Sequence, residues 1–155
     1  MLFLLSPAFG EGEWIPAIHT ADGEDISPPL VWKGNFDAGS FALICTDPDA
    51  PSGEWIHWVA YDIPPDARAL AEAIPRVPAL PDGTLQGTND WGDTGYGGPA
   101  PPSGTHRYVF TLFALDGPVD LGPGASAEQL LEAMEGRILA TARLTGIYAR
   151  GWIGG

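Results

Sequence analysis

The stretch Phe41-Ala42-Leu43-Ile44-Cys45-Thr46 is a continuous, mostly apolar run that leads directly into Asp47. A run this short, rich in strand formers and apolar on both faces, predicts a central strand covered on both sides of its sheet. Two further strands are predicted at Glu54–Ile63 and Thr105–Leu115, and each follows a loop rich in proline and glycine. These segments predict a mainly β fold.

Shorter elements flank these strands. Residues 1–20 predict one or two edge strands, and residues 27–32 predict another strand. Residues 67–73 fit a short helix, whereas residues 75–104 show no clear periodicity and form the kind of long irregular segment that is usually functional. Strict alternation would place four side chains of the second predicted strand on one face: Trp55, His57, Val59 and Tyr61.

One longer helix is predicted at Ala127–Leu144. Ser126 and Gln129 have the spacing of a capping box, and Gly146 is placed to end the helix. Its apolar residues recur at helical spacing and would form one buried stripe: Leu130, Leu131, Met134, Ile138, Leu139 and Ala142.

Composition and charge limit the possible partners. The chain has 155 residues, of which 45% are hydrophobic, and we expect one domain over residues 1–155 with a packed core. The net charge is −13, with Lys33 as the only lysine. Such a surface disfavours nucleic acid and anionic membranes, because both are bound through Lys and Arg.

The sequence also predicts a cytoplasmic protein. Cys45 is the only cysteine, so no internal disulfide forms. The first residues lack the basic lead of a secretory signal, and no apolar run approaches the ~20 residues that span a bilayer. We therefore expect no stable membrane insertion. Three tryptophans outside the clearest strands leave room for an apolar patch of a homodimer: Trp14, Trp91 and Trp152.

Two of the three histidines occupy similar positions at the beginnings of predicted strands. His57 follows the loop after Asp47, and His106 follows a second proline- and glycine-rich loop. If these strands are neighbours, both imidazoles and the carboxylate converge at one edge of the sheet, beside Trp55 and Tyr108. An apolar cavity with a few placed polar groups is typical of a small-ligand site.

The donors at this site suit an anion. Imidazole, tyrosine hydroxyl and loop N–H groups all point hydrogens at an oxyanion. Asp47 would repel an anion if it faced it directly, so we expect it to accept the far N–H of a histidine and orient that ring. Anion affinity is then expected to rise as the pH falls toward the histidine pKa.

Two enzymatic alternatives use the same residues. Two histidines and one carboxylate match the ligand set of some iron and zinc enzymes, although the spacing is not that of a compact metal motif. Ser52 and Ser103 lie near the histidines, but neither occupies the strand-to-helix turn of a hydrolase nucleophile. A metal-dependent or hydrolytic enzyme using Asp47, His57 and His106 is therefore the alternative to a binding protein.

At these residues the chain resembles the phosphatidylethanolamine-binding protein family, in its short bacterial form often called Raf kinase inhibitor-like. Any one matching segment is a weak signal, but the ordered set is specific and spans nearly the whole chain. The segments are Asp47-Pro48-Asp49-Ala50-Pro51, Trp55-Ile56-His57-Trp58, Gly98-Pro99 and Gly104-Thr105-His106-Arg107-Tyr108.

The resemblance implies a fold and a site. The fold is a central antiparallel β-sheet with a smaller second sheet and peripheral helices, including one C-terminal helix. The site is a small pocket at one sheet edge for a phosphate-like anion or a phospholipid headgroup. The ligand-binding residues implied are Asp47, Pro51, Trp55, His57, Gly98, Pro99, His106 and Tyr108.

The resemblance also implies a binding protein rather than an enzyme, with no cofactor and no metal. Its expected output is regulation or inhibition of another protein, such as a kinase or a protease.

Overall fold

The computed structural model describes residues 1–34 and 37–150. A three-stranded antiparallel sheet has the order β1-β2-β5, and a five-stranded antiparallel sheet has the order β6-β4-β3-β7-β8. The elements are β1 (Phe3–Leu5), β2 (Leu30–Lys33), β3 (Ser40–Asp47), β4 (Trp55–Ile63), β5 (Ala69–Leu70), β6 (Leu85–Gln86), β7 (His106–Leu115), α1 (Ala127–Met134) and β8 (Ile138–Tyr148), with a short 3₁₀ turn at Ala17–His19. The predicted mainly β fold with a central and a smaller sheet is confirmed.

Strand β3 lies at the centre of the five-stranded sheet, between β4 and β7. Phe41, Leu43 and Cys45 belong to the larger apolar core, on the side of the small sheet. Ala42 and Ile44 belong to a second core, which α1 covers through Leu130 and Met134. The central strand is therefore apolar on both faces because both faces are buried, as the sequence predicted.

A β-bulge in β4 changes which side chains share a face. Cys45 pairs with Trp58, but the next residue of β3, Thr46, pairs with Ile56, so His57 is an extra residue on β4. Val59 and Tyr61 lie in the core beneath α1, whereas the His57 ring contacts Tyr108 of the opposite core. The prediction that His57 shares a face with Val59 and Tyr61 was wrong, because a bulge reverses the alternation.

The helix predicted at residues 127–144 is confirmed only in its first half. The capping box is present: Gln129 N donates to Ser126 Oγ, and Ser126 N donates to Gln129 Oε1. The helix ends at Met134, and Gly136 has a φ of 76°. The predicted C-terminal helix is therefore eight residues long, and it is followed by a strand.

Residues 138–148 form β8, which pairs with the whole length of β7, from His106↔Tyr148 to Leu115↔Ile138. Unpaired, β7 would be a long edge strand, so tertiary pairing outweighs the weak helical stripe. Gly146 does not end a helix. It lies within β8, where a Cβ would come within 2.5 Å of Ile15.

The second predicted helix, at residues 67–73, was wrong. Ala69 and Leu70 form β5 instead and pair with Val31 and Leu30 at the edge of the small sheet. Within the described residues, neither α1 nor the 3₁₀ turn has the length and apolar character needed to cross a membrane.

Candidate functional site

A cavity of about 340 Å³ opens at one end of the five-stranded sheet, where β3 ends and where β4 and β7 begin. The loop between β3 and β4 forms one wall, and the segment before β7 forms the other. The residues that line it are Asp47, Ala50, Pro51, Ser52, Trp55, His57, Trp91, Ala100, Pro101, Pro102 and His106.

Asp47 and His106 form a buried pair at the base of this cavity. The Nδ1–H of His106 donates to Asp47 Oδ2 over 2.6 Å, and Asp49 N donates to Asp47 Oδ1 over 2.8 Å. Only 4% of Asp47 and 6% of His106 is exposed. Both carboxylate oxygens therefore accept hydrogen bonds from the protein, and the expected orienting contact between Asp47 and a histidine is present.

The His57 ring is held by a backbone carbonyl, whereas His106 is held by a carboxylate side chain. The Nδ1–H of His57 donates to the carbonyl oxygen of Gly97 over 2.6 Å, and Gly97 N donates back to the His57 carbonyl over 2.9 Å. The ring is 3% exposed and stands edge-on to Trp91 and Tyr108, with centroid separations of 4.9 and 5.2 Å. Burial lowers the pKa of His57, so its ring is neutral at pH 7.

These contacts fix the chemistry that each ring offers. Because Nδ1 is the donor to the protein in both histidines, Nε2 is the ring nitrogen left for a ligand. In neutral His57 this atom is an acceptor. In His106 it becomes a donor when the ring is protonated beside the Asp47 carboxylate.

Within the described residues, two further polar atoms next to the cavity are buried and have no hydrogen-bond partner: the Tyr108 hydroxyl and Trp55 Nε1. The Tyr108 ring is stacked on His106 with centroids 6.5 Å apart, and burial raises the pKa of its hydroxyl, which stays protonated. Trp55 lines the cavity itself. Buried donors without partners are uncommon in proteins, and here both lie beside the imidazoles.

A second carboxylate pair fixes the loop that forms the cavity wall. The Arg107 guanidinium donates from Nε and Nη2 to the two oxygens of Asp49, and Arg107 N also donates to Asp49. These hydrogen bonds lower the pKa of Asp49 to about 2. The Arg107 side chain is therefore hydrogen-bonded to the loop and does not line the cavity.

A protein-family model described as "Phosphatidylethanolamine-binding protein" matches residues 5–149. The chain belongs to the phosphatidylethanolamine-binding protein family. The resemblance inferred from the ordered motifs is thereby confirmed.

Curated relatives of the chain support the assignment to this family. A UPF0098 protein of Methanothermobacter thermautotrophicus is 56% identical over 149 residues, which cover 96% of this chain and 99% of the relative. The UPF0098 protein YbhB of Escherichia coli is 41% identical, with 94% of this chain and 99% of YbhB covered.

Two solved structures have the same fold as this family member. The phosphatidylethanolamine-binding protein homolog CT736 of Chlamydia trachomatis superposes with a TM-score of 0.88 and 41% identity, covering 96% of this chain and 97% of CT736. Escherichia coli YbcL, a member of the mammalian PEBP family, gives a TM-score of 0.87 and 31% identity, covering 96% and 98%.

The structure brings most of the predicted site residues to one cavity. Asp47, Pro51, Trp55, His57 and His106 line it. The other three predicted residues, Tyr108, Gly98 and Pro99, lie behind the lining.

The backbone of Gly98 and Pro99 supports the wall from behind. Gly98 N donates to Asp25 Oδ1 over 2.7 Å, and a Cβ on Gly98 would come within 2.5 Å of that oxygen and of the His19 carbonyl oxygen. The Pro99 carbonyl accepts from Ala21 N. Position 98 requires glycine because the segment around His19 passes so close to its backbone. This close packing supports Ala100 and the two prolines after it, which line the cavity.

Trp91 is the one aromatic residue of the lining that was not among the predicted site residues. It contacts Trp55 and His57 edge-on, and a Cβ on Gly97 would reach its ring at 2.5 Å. Its 45% exposed ring forms the outer wall of the cavity. The only sequence signal for it is an aromatic side chain within the long irregular segment, and the sequence places Trp91 in a possible homodimer patch instead. Of the other two residues in that patch, Trp14 is half-buried and Trp152 lies outside the described residues.

Among residues 1–34 and 37–150, no group of three or more His, Cys, Asp or Glu side chains is arranged to hold a metal ion. Asp47, His57 and His106 do lie around one cavity. However, both carboxylate oxygens of Asp47 and the Nδ1 atoms of both rings already bond to the protein.

Proposed function

We propose that the cavity binds a phosphate-like anion, either free or as a phospholipid headgroup, between His57 and His106. The observation that carries the proposal is the matched arrangement of the rings. In each ring Nδ1 forms a 2.6 Å hydrogen bond with the protein, so Nε2 is left for a ligand in a cavity of about 340 Å³. The unpartnered hydroxyl of Tyr108 and Nε1 of Trp55 are further donors beside the same space.

The two rings favour an anion that brings a proton with it. Neutral His57 offers an acceptor, and His106, whose Nδ1–H donates to the Asp47 carboxylate, would offer a donor at Nε2 in its imidazolium form. Inorganic phosphate keeps at least one hydroxyl near neutral pH, whereas a phosphate monoester, whose second pKa is ≈ 6, keeps its hydroxyl mainly below that pH. That hydroxyl can donate to His57 Nε2 while a charged oxygen accepts from His106. A phosphodiester has no such hydroxyl, so it requires His57 to take up a proton.

Titration calorimetry with phosphate, phosphoethanolamine and a phosphodiester tests this proposal. We expect inorganic phosphate to bind more tightly than the diester at pH 7.5, and both phosphoethanolamine and the diester to gain affinity as the pH falls to 5.5. Replacing His106→Asn or His57→Gln should weaken phosphate binding at least tenfold, which corresponds to about 1.4 kcal/mol.

Thr105→Ala is the matched control, since Thr105 precedes His106 and is exposed. Unchanged phosphate affinity in both histidine variants would overturn the site assignment. Hydrolysis of a phosphate ester that is lost in the His57 variant would instead favour the hydrolytic alternative. Stoichiometric metal in protein purified without chelators would favour the metal-dependent one.

We further propose that the bound state regulates another protein, such as a kinase or a protease. The support is membership of a family known as binding proteins, together with a cavity in which the two histidines are held by the protein and no serine is hydrogen-bonded to either ring. Inhibition assays against a panel of serine proteases and protein kinases, with and without phosphoethanolamine, test this output. Absence of inhibition in both conditions would exclude these two classes.

A further inference from the structure

The α1 side of the five-stranded sheet carries a groove that is separate from the anion cavity. α1 covers only part of this face. A cavity of about 260 Å³ remains beside the helix, and Leu131 projects from α1 at its rim with 50% of its surface exposed. The other residues that line it are Ile44, Thr46, Pro48, Glu54, Ile56, Val109, Thr111, Phe113, Ala127 and Arg143.

A second cavity, of about 420 Å³, continues this groove around α1. The two cavities share Glu54, Ile56, Ala127 and Leu131. Ile56, Ala127 and Leu131 are therefore the apolar residues common to both cavities. The exposed Leu131 among them is an available anchor point for an apolar side chain from a partner.

The rim of the groove is acidic. Glu54, Asp90, Glu128 and Glu132 line the second cavity and are exposed. Within the described residues none of these four carboxylates takes part in an ion pair, although Asp90 accepts a hydrogen bond from Ile56 N. The one cation that lines the groove, Arg143, belongs to the first cavity only.

We propose that this groove docks a cationic, amphipathic segment of a partner protein, with an apolar side chain of that segment packed against Leu131 and Ile56. Lysines or arginines flanking that side chain complement the four carboxylates, and the same carboxylates repel nucleic acid and anionic lipid. The proposal deepens the proposed regulatory function, because it names the face and the class of partner segment on which that function rests.

The groove and the anion cavity can be tested independently. The segment from Thr46 to His57 forms part of both, but its residues alternate, so that no side chain lines both spaces. Groove substitutions on α1 therefore leave the imidazoles and their hydrogen bonds in place. Loss of peptide docking with normal phosphate binding is distinguishable from failure of the anion site.

The test uses a fluorescent synthetic peptide with leucines at positions i, i+3, i+4 and i+7 and lysines between them, titrated with the full chain. We expect saturable binding that weakens with added salt. The double substitution Glu128→Lys and Glu132→Lys should weaken it roughly tenfold through lost attraction and new repulsion. Leu131→Ala should weaken it at least about fivefold through lost apolar contact.

Glu24→Lys is the matched control, because Glu24 is exposed and lines neither cavity of the groove. A peptide with glutamates in place of the lysines is the control on the ligand side. Circular dichroism and phosphate titration show whether each variant is folded and still binds the anion. Absence of saturable peptide binding, equal binding of the acidic peptide, or unchanged affinity in both α1 variants would overturn the proposal.

Discussion

At the residue scale, Asp47 has the most informative contacts in the site. A carboxylate inside an anion site would ordinarily oppose binding by repulsion. Here both of its oxygens already accept protein donors, one of them the Nδ1–H of His106. Its negative charge therefore acts first on the imidazole that it contacts, and only through that ring on the ligand.

This role gives a prediction for Asp47→Asn. The amide keeps an oxygen that can accept from His106 but removes the charge that stabilises its protonated form. We expect phosphate affinity at pH 6 to fall roughly five- to tenfold, since charge-assisted hydrogen bonds exceed neutral ones by about 1 kcal/mol. Titration calorimetry measures the change, with the exposed Asp66→Asn as a charge-matched control. Tighter binding by Asp47→Asn would show that direct repulsion dominates.

At the element scale, two adjacent pairs hold the end of β3 and the loop after it to β7. Asp47, the last residue of β3, pairs with His106, and Asp49 in the loop pairs with Arg107. The first pair is buried, whereas the Arg107 side chain is 59% exposed. The exposed pair contributes less to stability, because solvent screens it. The pair of Asp49 and Arg107 contributes to the site by fixing the loop that forms the cavity wall, and neither of its charged groups lines the cavity.

We therefore expect Arg107→Ala to cause only a small loss of unfolding free energy, because solvent screens an exposed pair even when its geometry is bidentate. Urea denaturation measures this loss. Arg143→Ala is the control, since Arg143 is exposed and forms no ion pair within the described part of the chain. Equal effects of the two substitutions would contradict a stabilising role for the Asp49 pair.

The elements also show which features the sequence could predict. The strands β3, β4 and β7 were predictable because their apolar patterns are set by burial in the structure itself. The residues 138–148 were not, because their apolar spacing fits a helix and a strand equally, and only the unpaired edge of β7 decides between them. A local pattern carries no information about a distant strand edge.

The site was predictable to a similar extent. Its histidines and Asp47 lie at strand ends, and the order of strands in the sheet brings strand ends together. Trp91 reaches the cavity from an irregular segment, positioned by its packing on Gly97 and His57. No periodicity encodes that position, so a lining residue of this kind is found only from the folded chain.

At the scale of the whole molecule, the buried imidazole links the site to the stability of the fold. The pKa of folded His57 is lower than its ordinary value of 6.5. The unfolded chain therefore takes up a proton first as the pH falls through that value. His57 consequently favours the folded state above pH 6.5, and this contribution is lost as the pH falls toward its folded pKa.

Thermal unfolding at pH 7.5 and 5.5 checks this linkage. We expect the wild-type melting temperature to fall more steeply with acidification than that of His57→Gln, which cannot take up the proton. Saturating phosphate should offset the fall in the wild type, because a ligand that binds only the folded state stabilises it. Parallel pH profiles of the two proteins would show that proton uptake at His57 is not coupled to folding.

The extra residue in β4 has a consequence for how the chain tolerates change in length. His57 and Trp58 face the same side of the sheet because of the bulge opposite Cys45 and Thr46. Deleting one residue of this pair would restore uninterrupted alternation while Ile56 and Val59 still face the α1 core, so the preceding side chains would keep their sides of the sheet. A single-codon deletion of His57 would thus remove one imidazole of the proposed anion site and leave the pairing of β3 with β4 more regular than before, which ties the length of the strand at this point to the site and not to the fold.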